Sequence, residues 1–208
     1  LDFEGILDLV RKATETTPRD RWIVGEVFGS HLLPQIDTLE GLKRLDEASH
    51  GRPVVLRDDS HHNRWCNTAA MQAASIDAHS EVVGQGHISV DAATGKPTGL
   101  LVENATRLID RMVEEVNYAD PALHRQAASF AISVLNSHGI TAFQDAQTFH
   151  GMLTALGELD REGGLNAWVV ASLPMHVFMY LPGPVGMELF QIREQFRSRH
   201  VRPDFAKF

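Results

Sequence analysis

The stretch from Asp120 to Asp145 reads DPALHRQAASFAISVLNSHGITAFQD, and it decides the fold class. Asp120 is placed as an N-cap, Pro121 stands in the first turn and Gly139 follows the last helical residue, so the pattern predicts a helix. A strand over Ile140–Gln144 follows directly and ends at Asp145. The apolar stripe of the helix, which we expect to face inward, consists of Ala127, Phe130, Ala131, Val134 and Leu135.

The same alternation of helix and strand continues to the last residue. The predicted elements are a helix over Met152–Arg161, a strand over Ala167–Leu173, a helix over Met187–Ser198 and, after a loop at Arg202–Asp204, a terminal strand at Phe205–Phe208. Short connections between apolar strands and helices predict parallel strands joined by right-handed crossovers. Three such strands form only part of a sheet or barrel.

The first 117 residues predict a smaller α/β unit. Its predicted elements are helix Phe3–Thr14, strand Trp22–Gly25, helix Thr38–Ala48, strand Pro53–Leu56, helix Thr68–Ala74, a hairpin within Gly84–Gly99 and helix Leu101–Val116. We therefore expect two domains, residues 1–117 and 118–208, with a soft boundary near Asn117–Asp120. Leu1 is not an initiator methionine, and an apolar strand breaks off at Phe208, so we also expect a piece of a larger protein.

The composition favours a globular chain that acts on small molecules. Of its 208 residues 43% are apolar and 22% are charged, and the net charge is −8. An acidic chain without a block of Lys and Arg is poorly suited to nucleic acid or to an anionic membrane, and no apolar run is long enough to span one. The single cysteine, Cys66, cannot form an internal disulfide. We therefore expect a cytoplasmic protein with no nucleic acid and no membrane among its partners.

Two histidines, His61 and His62, follow the strand Pro53–Leu56, and Trp65 and Asn67 come shortly after them in the same predicted loop, residues 61–67. Side chains at the carboxyl end of such a strand face the region where α/β proteins bind ligands, so one histidine is a candidate substrate contact. Adjacent histidines on extended backbone point to opposite faces, which disfavours a shared metal. The structural alternative is that one histidine and Asn67 hydrogen-bond to loop backbone while Trp65 packs beneath them.

Three further residues invite a chemical interpretation. Asp145 ends a strand, where a carboxylate can ligate a metal or accept a proton, although aspartate is also a common helix cap. Glu103 is either a first-turn helix acid or a pocket carboxylate. Cys66 has no convincing base in the pattern, so we do not propose a cysteine nucleophile.

Lys207 lies in the apolar strand between Ala206 and Phe208. An ammonium group there is costly to bury unless it is paired or chemically changed. A neutral lysine amine can capture carbon dioxide as a carbamate, whose two oxygens can bridge two divalent metals that make hydroxide near neutral pH. The structural alternative is a lysine that faces solvent at a sheet edge.

Five segments, read in order, resemble the amidohydrolase superfamily, specifically the amidohydrolase-3 branch of YtcJ-like and N-substituted formamide deformylase-like enzymes. They are WIVGEVF (22–28), LDEASHGRPVVLRDDSHHNRWCNTAAM (45–71), GKPTGLLVENA (95–105), HGITAFQDA (138–146) and FAKF (205–208). The resemblance runs through nearly the whole chain, and its longest segment is the most specific.

This resemblance implies a partial TIM barrel, with ITAFQDA, AWVVASL and FAKF as strands two to four and residues up to about 117 as an insertion after strand one. Lys207 falls on the strand-four position that is often a carboxylated metal bridge. His62, three residues before Trp65, matches a pocket-facing histidine of the family pattern H-x-x-W-x-N, and His61 remains an alternative. The family holds one or two divalent metals, usually zinc.

The departures from the family pattern shape the functional hypothesis. The chain has no H-x-H pair before the insertion, and it has no later strands to supply the two further histidine ligands and the catalytic aspartate. We therefore expect an internal portion of a metal-dependent amidohydrolase, whose metal-bound hydroxide attacks amide-type C–N bonds of a small molecule. The segment itself is expected to contain no catalytic residue, to hold no cofactor and to be inactive, whereas the parent protein binds a divalent metal, zinc.

The sequence also assigns partners and leaves two alternatives open. The expected partners are an amide-type substrate, contacted by His61, His62, Trp65, Asn67 and Asp145, the missing parts of the same chain, and a second copy through exposed strand edges. The first alternative is a non-catalytic binding or interaction module derived from such a hydrolase. The second is a self-contained enzyme that uses His61, His62 and Asp145 around one metal.

Overall fold

The computed structural model describes residues 1–117, 120–176 and 180–208 and shows a mixed α/β chain. The described residues fall into two compact units: residues 1–117 with Tyr180 form the first, and residues 120–176 with 181–208 form the second. Tyr118 and Ala119, which belong to the predicted boundary, lie outside the described residues. In the described ranges, none of the helices has the length and apolar character that a membrane span requires.

The first unit contains a five-stranded sheet and five α-helices among its described residues. Its elements are α1 (Phe3–Thr16), β1 (Ile23–Phe28), α2 (Leu33–Ile36), α3 (Leu39–Ser49), β2 (Val54–Asp58), β3 (Asn63–Cys66), α4 (Thr68–Ala73), β4 (Gly86–Val90), β5 (Pro97–Glu103) and α5 (Arg107–Asn117). The strand order is β1-β2-β3-β5-β4, with β1 and β2 parallel and the other neighbours antiparallel. The predicted hairpin is confirmed as β4 and β5.

Both faces of this sheet are covered, which explains the continuous apolar run in β2. Val54 and Leu56 pack in one core cluster with α1, and the intervening Val55 packs in a second cluster with α4 and α5. Asp2 caps α1 by accepting a hydrogen bond from Gly5 N at 2.9 Å. Thr38 caps α3 in the same way through Gly41 N.

Two predictions for this unit were wrong. Residues 61–67 were predicted as one loop, but Asn63–Cys66 form β3 and pair with both β2 and β5. The predicted helix over Leu101–Val116 begins only at Arg107, because Leu101–Glu103 belong to β5. Short apolar runs fit either a strand or a buried helix, and here the cross-strand pairing decides for the strand.

The second unit alternates helix and strand, as the sequence predicted. Its elements are α6 (Pro121–Ser137), β6 (Ala142–Asp145), α7 (His150–Arg161), β7 (Trp168–Pro174), α8 (Gly186–Ile192) and β8 (Val201–Lys207). The strand order is β6-β7-β8, and both pairs are parallel. The predicted N-cap of α6 is confirmed, since the Asp120 carboxylate accepts a hydrogen bond from Ala122 N at 2.9 Å. The predicted loop at Arg202–Asp204 was wrong, because these residues lie inside β8.

Helices cover one face of this parallel sheet. Val169, Ala171 and Leu173 alternate along β7 and are fully buried in the clusters formed with these helices. The residues between them belong to the opposite face, because successive side chains of a strand point to opposite sides. The opposite face contributes none of its described residues to these helix-containing clusters, and we call it the helix-free face. It carries Ser172 and its hydrogen-bond partner Gln144.

The sequence predicted the wrong buried face for α6. Phe130 is 71% exposed and Val134 is also exposed, whereas Ala128 and Ile132 are buried in the cluster that contains Leu156 of α7. Both faces of this helix carry apolar residues at helical spacing, so their periodicity does not distinguish them. The buried face is determined by the packing partner: α7 lies against the face that carries Ala128.

Asp160 near the end of α7 fixes the chain where it enters β8. Its nearly buried carboxylate accepts hydrogen bonds from Ser198 Oγ and from His200 N at 2.8 Å, and it pairs with His200 Nδ1 at 2.6 Å. Burial opposes ionisation of this carboxyl, but the hydrogen bonds from Ser198 and His200 outweigh burial and hold the pKa of Asp160 below its usual range. A depressed carboxyl pKa means that the ionised form stabilises the folded state.

We expect Asp160→Asn to destabilise the second unit by about 1–3 kcal/mol at pH 7, because three donors, Ser198 Oγ, His200 N and His200 Nδ1, lose a charged acceptor. This loss should begin to shrink below about pH 4, where the Asp160 carboxyl of the unfolded chain takes up a proton, and it should vanish only below the lowered pKa of the folded state. Urea titrations followed by the amide NMR signals of Val169 and Val201 at pH 7 and pH 3 measure both effects. An equal difference between variant and wild type at the two pH values would contradict the assignment.

Candidate functional site

The turn after β2 is built around the buried carboxylate of Asp58. It accepts hydrogen bonds from Ser30 Oγ at 3.0 Å, Ser60 Oγ at 2.6 Å, Asn63 N at 3.0 Å and Asn63 Nδ2 at 2.7 Å. Burial opposes ionisation, but the hydrogen bonds from Ser60, Asn63 and Ser30 outweigh it and lower the pKa of Asp58. This network shapes the turn that carries His61 and His62.

The two adjacent histidines have different surroundings. His61 is exposed at the turn and has a left-handed backbone with φ of 63°. His62 is half-buried, and its Nδ1 lies 2.9 Å from Oε2 of Glu103. The side chains of His62 and Glu103 are 44% and 40% exposed, so solvent and small molecules can reach this pair.

The structure places Asn67 and Trp65 inside the protein. The Asn67 carbonyl accepts from Val54 N and Ala70 N at 2.9 Å, and its amide donates to Ser49 Oγ at 2.9 Å and Arg52 O at 2.8 Å. All four hydrogen-bonding positions of this amide are thereby used. These contacts agree with the structural alternative for Asn67, in which its side chain hydrogen-bonds to backbone and does not contact a substrate.

Trp65 is fully buried in the first core cluster, and its ring centroid lies 5.8 Å from that of Phe3. Its indole Nε1 has no hydrogen-bond partner among the described residues. The ring packs beneath the turn, as the structural alternative predicted, and it presents no surface to a ligand in this conformation. Of the candidate substrate contacts in the first unit, only the two histidines are accessible.

In the second unit, Asp145 and Lys207 end β6 and β8 at the same edge of the parallel sheet. Asp145 is in register with Ala171, whose side chain is in the helix-covered core, whereas Lys207 is in register with Pro174 on the helix-free face. Residues that pair across a sheet point to the same face. The Asp145 side chain therefore points to the helix-covered face, and the Lys207 side chain points to the helix-free face. The structure therefore does not bring Asp145 and Lys207 together.

Lys207 is exposed, which agrees with the structural alternative of a lysine that faces solvent at a sheet edge. Strand β8 is an edge strand of the sheet formed by the described residues, which leaves its terminal side chains open to water. On the same helix-free face, Gln144 Nε2 donates to Ser172 Oγ at 2.8 Å. Asp145 is half-buried and accepts a long hydrogen bond from Gln147 N at 3.4 Å, which is typical of a turn-forming aspartate.

The described residues do not supply a metal site on their own. Within residues 1–117, 120–176 and 180–208, no group of three His, Cys, Asp or Glu side chains is arranged to hold a metal ion. A zinc site needs three or four such ligands. Cys66 offers no alternative chemistry, because complete burial raises the pKa of its thiol far above the usual range.

Glu103 contacts His62, a pairing that the sequence did not predict. Of the two alternatives for Glu103, the first-turn helix acid was wrong, because the residue ends β5, which lies antiparallel to β3. In that register Asn63 pairs with Val102, which places the residues just beyond them, His62 and Glu103, side by side. A strand assignment for PTGLLVE would have placed Glu103 at a strand end, but the contact with His62 also depends on the register between β3 and β5.

The fold and these positions define a class of protein: a mixed α/β chain whose second unit is a parallel strand-helix array with polar residues at the carboxyl ends of its strands. The profile of the amidohydrolase family matches residues 1–202. The chain therefore belongs to the amidohydrolase family.

Individual relatives agree with this family. The chain is 34% identical over 124 residues to YtcJ of Bacillus subtilis, a protein named as an amidohydrolase, and the match covers 58% of this chain and 23% of that protein. It is 32% identical over 108 residues to the N-substituted formamide deformylase of Arthrobacter pascens, covering 51% of this chain and 19% of the enzyme. The chain thus spans less than a quarter of each of these two relatives.

Solved structures show the same fold. A metal-dependent hydrolase from Pyrococcus horikoshii superimposes with a TM-score of 0.58 at 16% identity, covering 96% of this chain and 36% of that structure. A second one, from Pyrococcus furiosus, gives a TM-score of 0.54 at 22% identity and covers 37% of that structure. Nearly all of this chain therefore has a counterpart in hydrolase structures that are more than twice as long.

Proposed function

We propose that this chain is the internal part of a metal-dependent hydrolase that acts on amide-type C–N bonds of small molecules. Membership of the amidohydrolase family and the reaction named for the Arthrobacter pascens deformylase support the reaction type. The observation that carries the proposal is the place of Lys207, at the carboxyl end of a parallel strand and on the helix-free face. Active sites of barrel enzymes are built at that end of the strands.

In this proposal β6, β7 and β8 are strands two to four of a TIM barrel, and residues 1–117 are an insertion after strand one. The parallel order of the three strands and the helices on one face support the assignment. In a barrel the helices lie outside and the opposite face lines the interior. The helix-free face, with Gln144, Ser172 and Lys207, would then point inward.

The residues of this chain would have separate roles. Lys207, as a carbamate, would be its one contribution to a metal site, and the other ligands would come from segments beyond this chain. The metal, when bound, supplies Lewis-acid polarisation of the substrate carbonyl and activation of water, and zinc is the ion we propose. His62, with His61 as the alternative, would contact the substrate, whereas Asp145 shapes the turn after β6.

The missing parts of the same chain are the partner that this proposal requires. Several large apolar side chains of the second unit are exposed, among them Phe130, Trp168, Phe205 and Phe208. In a longer protein these surfaces would be covered. In the isolated segment, the open edges of β6 and β8 favour association of two copies.

Metal analysis and hydrolysis assays test the proposal. The 208-residue chain, purified from zinc-supplemented medium, is expected to retain no stoichiometric metal and to leave N-methylformamide intact. The protein translated from the complete reading frame around this segment is expected to bind divalent metal and to hydrolyse N-substituted amides. A frame that adds no H-x-H pair upstream and no further histidines downstream would instead favour the non-catalytic binding module.

A further inference from the structure

A pocket of about 260 Å³ lies beside the first turns of α6 and α7, and its lining residues belong to the second unit. Two half-buried histidines line it, His124 of α6 and His150 of α7. Its walls also contain the apolar residues Pro121, Ala155 and Pro182. Apolar walls with a few convergent polar groups are typical of a small-molecule site.

Carbon contacts orient both imidazole rings. The His124 ring lies edge-to-face with Phe149, with centroids 5.4 Å apart and ring planes at 77°. The His150 ring lies in the same arrangement with Phe196, at 5.4 Å and 89°. Among the described residues, neither imidazole has a hydrogen-bond or ion-pair partner. The rings are therefore held in place while their nitrogen atoms are left for a ligand or for water.

Two glycines allow the backbone to approach these rings. A Cβ atom at Gly151 would lie 2.6 Å from His124 Nδ1, which is closer than a real Cβ atom comes to its neighbours. Gly183 has φ of 86°, and a Cβ atom there would lie 3.2 Å from His150 Nδ1. A residue with a side chain rarely adopts such a φ. The shape of the pocket thus depends on glycine beside each histidine.

The charges around the pocket favour an anion. A neutral imidazole donates one hydrogen bond, and a protonated one donates two and carries a positive charge. Glu158 is the carboxylate in the lining, and Arg125 of α6 lies within electrostatic reach of it. The positive end of the α7 dipole, where His150 is the first residue, adds to the preference for a negative charge.

We propose that this pocket binds a small monocarboxylate with an apolar body, whose carboxylate accepts hydrogen bonds from His124 and His150. The apolar body of the ligand packs against the proline and alanine side chains of the walls. The inference goes beyond the proposed function and does not rest on it, because it uses none of the residues assigned there to the substrate or to the metal.

Titration of the ¹⁵N-labelled 208-residue chain with benzoate tests the site, and benzamide is the uncharged comparison of nearly the same shape. The titration is followed by NMR near pH 6.5, where an ordinary imidazole is about half protonated. We expect saturable shifts of the imidazole signals of His124 and His150. Benzamide should bind at least about tenfold more weakly, because it lacks the charge for charge-assisted hydrogen bonds. The signals of His79 in the first unit are the internal reference.

Single variants test the two histidines. His124→Phe and His150→Phe keep an aromatic ring against its neighbour and remove the nitrogen atoms, so each should weaken benzoate binding about tenfold. Glu158→Gln should strengthen it, because a like charge is removed from the lining. The matched control is His138→Gln, since His138 is the C-cap of α6 and does not line the pocket. Its affinity for benzoate should equal that of the wild type.

Equal affinities for benzoate and benzamide would overturn the inference, as would unchanged benzoate affinity in both phenylalanine variants. If those variants fail to fold, Glu158→Gln decides, because weaker benzoate binding in that variant would contradict an anion beside the carboxylate. Absence of saturable shifts at His124 and His150 in the wild type would refute the site itself. The proposed hydrolase function is decided separately by the metal and hydrolysis assays.

Discussion

Replacing Asp110 by alanine is expected to destabilise the first unit by about 3–5 kcal/mol, because it leaves the buried Arg64 guanidinium without its counter-charge. Arg64 is only 1% exposed. Its Nε and Nη2 donate to the two oxygens of Asp110 at 2.7 and 3.0 Å, and its Nη1 donates to the carbonyl oxygens of His61 and Asn63 at 3.1 and 3.0 Å. The pair therefore joins α5 to the turn that carries the histidines.

Urea titration followed by amide NMR signals of β2 and β3 measures the effect of Asp110→Ala. The matched control is Glu115→Ala on the same helix, since Glu115 forms an exposed pair with Arg111 and its loss should change stability little. The double variant Arg64→Met with Asp110→Leu should recover much of the loss, because it removes both buried charges. A single Asp110→Ala variant as stable as the control would show that the buried pair is not formed.

The second large effect is expected for Asn67→Ala, at about 3 kcal/mol or more, because the change leaves several buried polar groups without partners. The groups affected are the backbone N–H of Val54 and Ala70 and the Arg52 carbonyl, while the Ser49 hydroxyl loses one donor but keeps its hydrogen bond to Asp46 O. The same substitution also removes the N-cap of α4. Each buried donor or acceptor left unsatisfied costs about 1–3 kcal/mol.

Hydrogen exchange of the β2 and α4 amides, together with the urea midpoint, measures the loss in Asn67→Ala. Gln72→Ala is the matched control, because Gln72 is an exposed amide on α4 itself. A ligand-contacting role would predict the opposite pattern, with stability retained and ligand affinity lost. Retained stability in Asn67→Ala would therefore contradict the structural role and favour Asn67 as a substrate contact.

Local signals in the sequence were sufficient to predict the helices and hairpins whose pattern has only one interpretation. Asp120, Pro121 and Gly139 bracket α6, and the structure confirms the helix between them. The turn residues between Asp91 and Pro97 likewise mark the β4–β5 hairpin. In both cases the capping and turn residues that determine the element lie within a few positions of it, so the element can be predicted from the local sequence.

Other features depend on residues that are distant in sequence. The burial of Arg64 could not be predicted because its partner, Asp110, lies on another element 46 positions away. The strand assignment of Leu101–Glu103 similarly depends on pairing with β3. The exposure of Lys207 depends on whether another strand pairs with the open edge of β8, which the sequence pattern of β8 alone does not reveal.

In the candidate site, too, local features could be predicted from the sequence and long-range contacts could not. Sequence position correctly located both Asp145 and Lys207 at strand ends, since an apolar run and its last residue are local features. Their opposite faces follow from the register with β7, which only the structure reveals. The His62–Glu103 pair was missed for the same reason, because it requires the register of β3 and β5.

We propose that this chain supplies one ligand, Lys207, to a metal site completed by segments outside it. The most direct test is the metal content, by mass spectrometry, of the 208-residue chain and of the complete translated protein with and without Lys207→Ala. We predict no stoichiometric metal in the 208-residue chain, bound divalent metal in the complete protein and a loss of metal in its Lys207→Ala variant. Stoichiometric zinc in the 208-residue chain that is lost on His62→Ala would contradict the account and favour a self-contained metal site at the histidine turn.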